Sequence, residues 1–175
     1  MLANMFLHPP WSRFPTTVTR LRASDGANLG NFPLGGLPVA LAYDGANLWV
    51  VSDTAATVTK LRASDGATLG TLPLGSLPAR VAFDGTDVWV TMWTTASVTR
   101  LRVSDGTNLG SFPVGPNPGA IVFDGANLWV SNVGNDTMTK LRASDGASLM
   151  TIPVAGGAAM AFDGSSIWVT NGNTN

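Results

Sequence analysis

An all-β propeller is the fold class this sequence predicts, and three observations predict it. The stretch Thr-(Arg/Lys)-Leu-Arg-(Ala/Val)-Ser-Asp-Gly occurs at 19–26, 59–66, 99–106 and 139–146. A companion, (Tyr/Phe)-Asp-Gly-x-x-(Leu/Val/Ile)-Trp-Val, occurs at 43–50, 83–90, 123–130 and 162–169, so both keep a period of 40 residues except for one residue lost before the final copy. Each unit holds four short apolar stretches rich in Val, Leu, Phe, Trp and Thr, and no longer window shows helical periodicity. Four strands in ~40 residues is the arithmetic of a propeller blade.

Taken in chain order, the elements follow from the turn chemistry. In the first complete unit the four stretches, labelled A to D in chain order, fall near 39–43, 47–52, 57–62 and 68–74. Asp-Gly marks the A–B and C–D reversals, because Gly accepts positive φ and Asp caps the turn locally. Complete units start near Val39, Ala79 and Gly119 and fill 39–154. A C–D pair at 18–34 precedes them and an A–B pair at 158–170 follows, so the propeller part spans 18–175. Residues 1–17 form either a surface tail or a decayed strand B, since Ala3-Asn4-Met5-Phe6-Leu7 is similar to Ala46-Asn47-Leu48-Trp49-Val50.

The leading C–D and trailing A–B pairs are two halves of one blade. A free half-ring leaves two blade faces and two strand edges unpaired, which proteins avoid. The expectation is a homodimer of eight blades, each chain completing the other's split blade. A steep four-bladed monomer is the alternative.

Composition narrows function by exclusion. The chain is 45% apolar and 12% charged with net charge −1, which argues against disorder and against a nucleic-acid or anionic-membrane partner. No apolar run reaches the roughly 18 residues of a membrane helix, and no signal peptide is read, so the default expectation is a cytoplasmic protein. Cysteine is absent, the eleven acidic residues are all Asp, and His8 is the sole histidine. Thiolate catalysis and disulfides are excluded, and the repeats offer no neutral-pH general base.

The repeat pattern Phe-Asp-Gly-x-x-(Leu/Val)-Trp-Val…Thr-Val-Thr-Lys-Leu-Arg resembles the YVTN/NHL-type propeller repeats over roughly residues 18–170. That resemblance implies the propeller fold and the strand assignment, with A innermost. It implies no single function, because such propellers serve as lyases, lactonases, electron carriers and binding platforms. The related virginiamycin-type lyases use His and Glu near a metal, and gluconolactonase-like members use a Glu, Asn and Asp metal site. This chain lacks Glu, so catalysis and a cofactor are not expected.

Several recurrent residues read as structural. Trp49, Trp89, Trp129 and Trp168 sit mid-strand among Leu and Val, where an aromatic fills the wedge between blades. The turn aspartates, Asp44 and Asp84 among them, supply one carboxylate each, too few for calcium. Arg22, Arg62, Arg102 and Arg142, with Arg20, Lys60, Arg100 and Lys140 two residues earlier, form a solvated belt offset by the turn aspartates; a polyanion around the rim is the sharper alternative. Asn135-Asp136-Thr137 matches a glycosylation acceptor, without an export signal to give it weight.

Candidate binding residues come from what differs between copies. The B–C loops vary (Asp53-Thr54-Ala55-Ala56, Met92-Trp93-Thr94-Thr95, Asn132-Val133-Gly134-Asn135), as do the D–A links (Gly35-Gly36-Leu37, Gly75-Ser76-Leu77, Gly115-Pro116-Asn117). Both loop types lie on one face of a propeller. Trp93 is a loop aromatic in one blade only, and Arg80 stands where other copies have Ala40, Ala120 or Ala158. Arg80, Trp93, Met92, Asn117 and Asn132 are therefore the candidate contacts for a small molecule, glycan or peptide. The expected function is a non-enzymatic binding or scaffold module. The alternatives are a self-assembling repeat fragment with no evolved ligand, or a metal-dependent lyase or lactonase.

Overall fold

A computed structural model describes residues 16–154 and 156–171. Its elements are all strands: β1 Thr17–Leu21, β2 Asn28–Pro33, β3 Pro38–Tyr43, β4 Asn47–Ser52, β5 Thr57–Arg62, β6 Thr68–Pro73, β7 Pro78–Phe83 and β8 Asp87–Met92 come first. They are followed by β9 Ser97–Arg102, β10 Asn108–Pro113, β11 Pro118–Phe123, β12 Asn127–Asn132, β13 Thr137–Arg142, β14 Ser148–Pro153, β15 Met160–Phe162 and β16 Ile167–Val169. No helix among the described residues is long and apolar enough to cross a membrane. The segment Ala3–Leu7, with its resemblance to a strand B, lies outside the described residues.

Three four-stranded antiparallel sheets, β3–β6, β7–β10 and β11–β14, are the complete blades. They are flanked by a front half-blade, β1–β2, and a rear half-blade, β15–β16, each a separate two-stranded sheet. The innermost strands β3, β7, β11 and β15 follow one another side by side, as blades do around an axis. Register repeats from blade to blade: Trp49 faces Lys60, Trp89 faces Arg100 and Trp129 faces Lys140 across the B and C strands.

The core lies between blades. One cluster joins Trp49, Val51 and Val58 of the first blade to Val81, Val90 and Leu101 of the second. A second joins Trp89 and Val98 to Leu128, Val130 and Leu141. Each strand-C leucine thus faces the preceding blade and each strand-B tryptophan the following one. Burying such side chains contributes about 1.5–3 kcal/mol each, so blade stacking supplies much of the fold's stability.

The wedge role read for the tryptophans holds for Trp49 and Trp89, both 0% exposed. It fails for Trp168, which is 65% exposed. The rear half-blade has no strand C beside β16 in the described structure, so nothing covers that ring. Leu21 of the front half-blade is 59% exposed because no described blade precedes it, while its counterparts Leu61, Leu101 and Leu141 are buried against the blade before.

Two local devices repeat. In the A–B turn, Asp44 Oδ1 accepts from the amides of Ala46 and Asn47 at 2.9 and 2.6 Å, and its Oδ2 accepts from Trp49 Nε1 at 2.8 Å. Asp84 and Trp89, Asp124 and Trp129, and Asp163 and Trp168 repeat the indole bond at 2.7, 2.8 and 2.7 Å. In the C–D turn, Gly66 at φ 76 leaves no room for a side chain, because a Cβ there would lie 2.0 Å from Phe32 Cε1 of the preceding half-blade. Gly106 and Gly146 meet Leu72 and Phe112 in the same way.

Candidate functional site at the loop face

The B–C loops and D–A links share one face because strand A begins where strand B ends. Hydrogen bonds tie them together in each blade: Asp53 N donates to Leu37 O at 3.1 Å, Trp93 N to Leu77 O at 2.8 Å, and Val133 N to Asn117 O at 3.2 Å. Leu37 N also donates to Thr54 Oγ1 at 2.9 Å, and Ser76 and Thr94 bond through their hydroxyls. The loops sit on a common hydrogen-bonded frame, while their side chains differ.

Arg80 is exposed, with Nη1 donating to Ala79 O at 2.9 Å and no carboxylate partner among the described residues. Its amide donates to Thr91 Oγ1 at 2.9 Å, and that hydroxyl donates onward to Gly119 O of the next blade at 3.1 Å. This bridge fixes the start of β7 beside the start of β11. Trp93 is half-buried at the head of its loop. Asn117 is half-buried with φ 51, a left-handed conformation that Asn tolerates better than most residues. Arg80, Trp93 and Asn117 therefore belong to one face of two adjacent blades.

The other two sequence candidates are placed in the framework. Met92 ends β8, is 2% exposed and packs in the core between the first and second blades. Asn132 ends β12 and is 0% exposed. Its Nδ2 donates to Thr137 Oγ1 and Thr139 Oγ1 at 2.9 Å each, and its Oδ1 accepts from Gly115 N at 3.0 Å. An amide so committed braces the D–A link and has little capacity left for a ligand. Both residues were assigned to loops by sequence, but the strands run on to include them.

One polar group on this face lacks a partner. Asp53 Oδ1 is buried without a hydrogen bond among the described residues, an uncommon state for a carboxylate oxygen. Its counterparts are Trp93 and Val133, so only the first blade offers an acceptor there. No three His, Cys, Asp or Glu side chains among the described residues converge as a metal cage.

The basic residues of strand C divide into two sets. Arg22, Arg62, Arg102 and Arg142 pair with Asp25, Asp65, Asp105 and Asp145 at 2.9–3.2 Å on the exposed C–D turns. The others work between blades. Lys60 Nζ lies 5.0 Å from the Trp49 ring centre, Arg100 Cζ 5.1 Å from that of Trp89, and Lys140 Nζ 4.8 Å from that of Trp129. Arg20 Nη1 donates to Ser64 O at 2.7 Å, Lys60 Nζ to Val103 O at 2.6 Å and Arg100 Nη1 to Ser144 O at 3.0 Å, each reaching the C–D turn of the next blade. Sequence reasoning took this set for a solvated belt. The signal it missed is the fixed offset that puts each of these cations opposite a tryptophan.

No family model matches the chain, and no curated protein matches it by sequence. Solved structures do match. A functionally unknown protein from Desulfotomaculum acetoxidans superposes with a TM-score of 0.78 at 14% identity, over 90% of this chain and 57% of that one. Streptogramin B lyase gives 0.75 at 20% identity over 90% and 56%, and hydrazine synthase from Kuenenia stuttgartiensis 0.71 at 17% over 83% and 45%. The chain spans about half the length of the structures it matches. At these identities the likeness establishes a propeller fold and nothing about chemistry.

Proposed function

We propose that this β-propeller module is non-catalytic and binds a small molecule, glycan or peptide on the face formed by its B–C loops and D–A links. The observation that carries this reading is the contrast within one chain. The A–B and C–D turns repeat almost residue for residue, whereas Arg80, Trp93 and Asn117 are single departures gathered on one face of neighbouring blades. A half-buried indole and an exposed guanidinium on the same face, the latter with no carboxylate partner among the described residues, offer a stacking surface and a donor fork, a combination frequent at binding hot spots. The lack of Glu and the placement of His8 outside the repeats support a non-catalytic role. The likeness to YVTN/NHL repeats fits the same reading.

Glycan and peptide arrays test it. Reproducible binding by the unmodified chain, lost on Trp93→Ala or Arg80→Ala and kept on Tyr43→Ala at the opposite turn, is the expected result. Binding that ignores Trp93 and Arg80 contradicts it. A second reading, a self-assembling fragment with no evolved ligand, is favoured by the near-identity of the blades; it predicts arrays without signal from a chain that still assembles.

A further inference from the structure

We propose that a second copy of this chain completes the split blade, with β1 of one copy pairing antiparallel to β16 of the other in a fixed register that sets Arg20 over Trp168. The complete blades supply the template. In each of them strand B pairs with strand C so that the tryptophan faces the cation: Trp49 with Lys60, Trp89 with Arg100, Trp129 with Lys140. Carried over to β16 and β1, the same register places Ile167 opposite Leu21, Trp168 opposite Arg20 and Val169 opposite Thr19.

What is satisfied three times within the chain is left open once at each end. Trp168 is exposed, and Arg20, unlike Lys60, Arg100 and Lys140, is exposed and has no ring beneath it among the described residues. Phe32, Leu72 and Phe112 each press on a turn glycine of the following blade, at Gly66, Gly106 and Gly146. Ile152 is the next member of that series, and Gly26, the fourth turn glycine, has nothing within 4 Å of its Cβ position. Lys60 and Arg100 reach the turn carbonyl of the following blade; Lys140, the next in series, has a 3.8 Å contact to Asp124. In the joined blade, Ile152 meets Gly26, and Lys140 meets the turn at Ala23–Ser24.

The apolar surfaces match as well. A groove beside β16, lined by Trp129, Met138, Ile152 and Ile167, stands where the strand-C leucine of a following blade belongs. Leu21 is that leucine, and it is 59% exposed. At the other end a groove beside β1 is lined by Val18, Phe32, Leu41 and Leu48. Leu41 is 54% exposed there, whereas its counterpart Val81 is buried against the first blade's tryptophan layer. Trp168 fills the same place in front of Leu41. Two copies joined twice in this way contain six complete and two composite blades, with the open edges of β1 and β16 both paired. Eight blades is within the ordinary range for propellers.

Cross-linking reads the register directly, since the chain has no cysteine. Thr19→Cys and Val169→Cys are made in separate chains, which are co-refolded and oxidised. The expected result is a covalent dimer of twice 18.1 kDa that forms in the mixture and in neither variant alone. A control pair, Thr19→Cys with Thr170→Cys, is off by one residue and should cross-link far less. An 18.1 kDa cross-linked monomer from a chain carrying both cysteines would overturn the proposal in favour of closure within one chain. So would a mixture that stays uncross-linked while the unmodified chain is monomeric, or while it dimerises by another surface.

Discussion

Trp168 Nε1 donates to Asp163 Oδ2 at 2.7 Å, the same bond that Trp49 makes to Asp44, yet the Trp168 ring is 65% exposed and the Trp49 ring fully buried. The bond is local, five residues apart in sequence, and forms whether or not a neighbouring blade covers the ring. Burial is the tertiary contribution, and it is what the rear half-blade lacks.

That separation predicts unequal costs for the same substitution. Asp84→Ala removes the acceptor for a buried indole N–H and for the amides of Thr86 and Asp87. It should cost about 2–4 kcal/mol, since stranded buried donors cost about 1–3 kcal/mol each and turn caps about 1. Asp163→Ala, beside an exposed indole, should cost clearly less in the isolated chain. Urea denaturation of the two variants checks the difference; equal losses would mean the bond acts independently of burial.

Arg100 and Asp87 form a pair found in one blade only. The contact is 2.7 Å, with side-chain exposures of 17% and 6%. Removing one member of a buried pair strands the other, at about 3–5 kcal/mol. Arg100→Ala should therefore destabilise strongly, the more so because the guanidinium also stacks on Trp89. Adding Asp87→Asn, which matches Asn47 and Asn127 of the sister blades, should restore part of the loss. A double-mutant cycle in urea is the measurement, and no recovery would refute the pairing.

The turn aspartates make the fold acid-sensitive. At Asp44 and Asp124 burial alone would raise the carboxyl pKa, but the indole and amide donors together hold it below 3.8. The Trp168 indole, followed by the Ser165 and Ser166 amides, holds Asp163 far below that value. A group with a depressed folded-state pKa contributes stability above its unfolded value and loses it as pH falls through the folded one. Stability should thus be level from neutral pH to about 4 with respect to these groups, then decline toward lower pH. Thermal melts across that range check it; a decline beginning near pH 6 would point to a group other than these carboxylates.

Backbone strain offers a way to stabilise the loops. Ala56 and Ala96 hold φ of 50 and 49 in their B–C loops. A left-handed Ala costs about 1–2 kcal/mol, and Gly avoids that at the expense of unfolded-state entropy. Ala96→Gly should raise stability by up to about 1 kcal/mol, read as a higher melting temperature with binding on the loop face unchanged.

The blade was legible in the sequence because its signals are local. Asp-Gly at a fixed distance from Val-Trp-Val marks a turn and the strand after it, and the strands β3 to β6 fall within a residue or so of where those turns put them. Contacts between blades were harder to read. Arg100 looks like a surface cation until the register sets it over Trp89 and its tip against Ser144 O. Asn132 looks like a loop residue until its three hydrogen bonds and full burial are seen. The angle between blades is set by how wedge residues pack, and no single residue encodes it.

The most direct test of the central claim, that two chains complete one another's split blade, is the mass of the unmodified chain in solution by light scattering. The account predicts twice 18.1 kDa, held on dilution because each joint buries Trp168, Leu21 and Leu41. A mass of 18.1 kDa at all concentrations would contradict it.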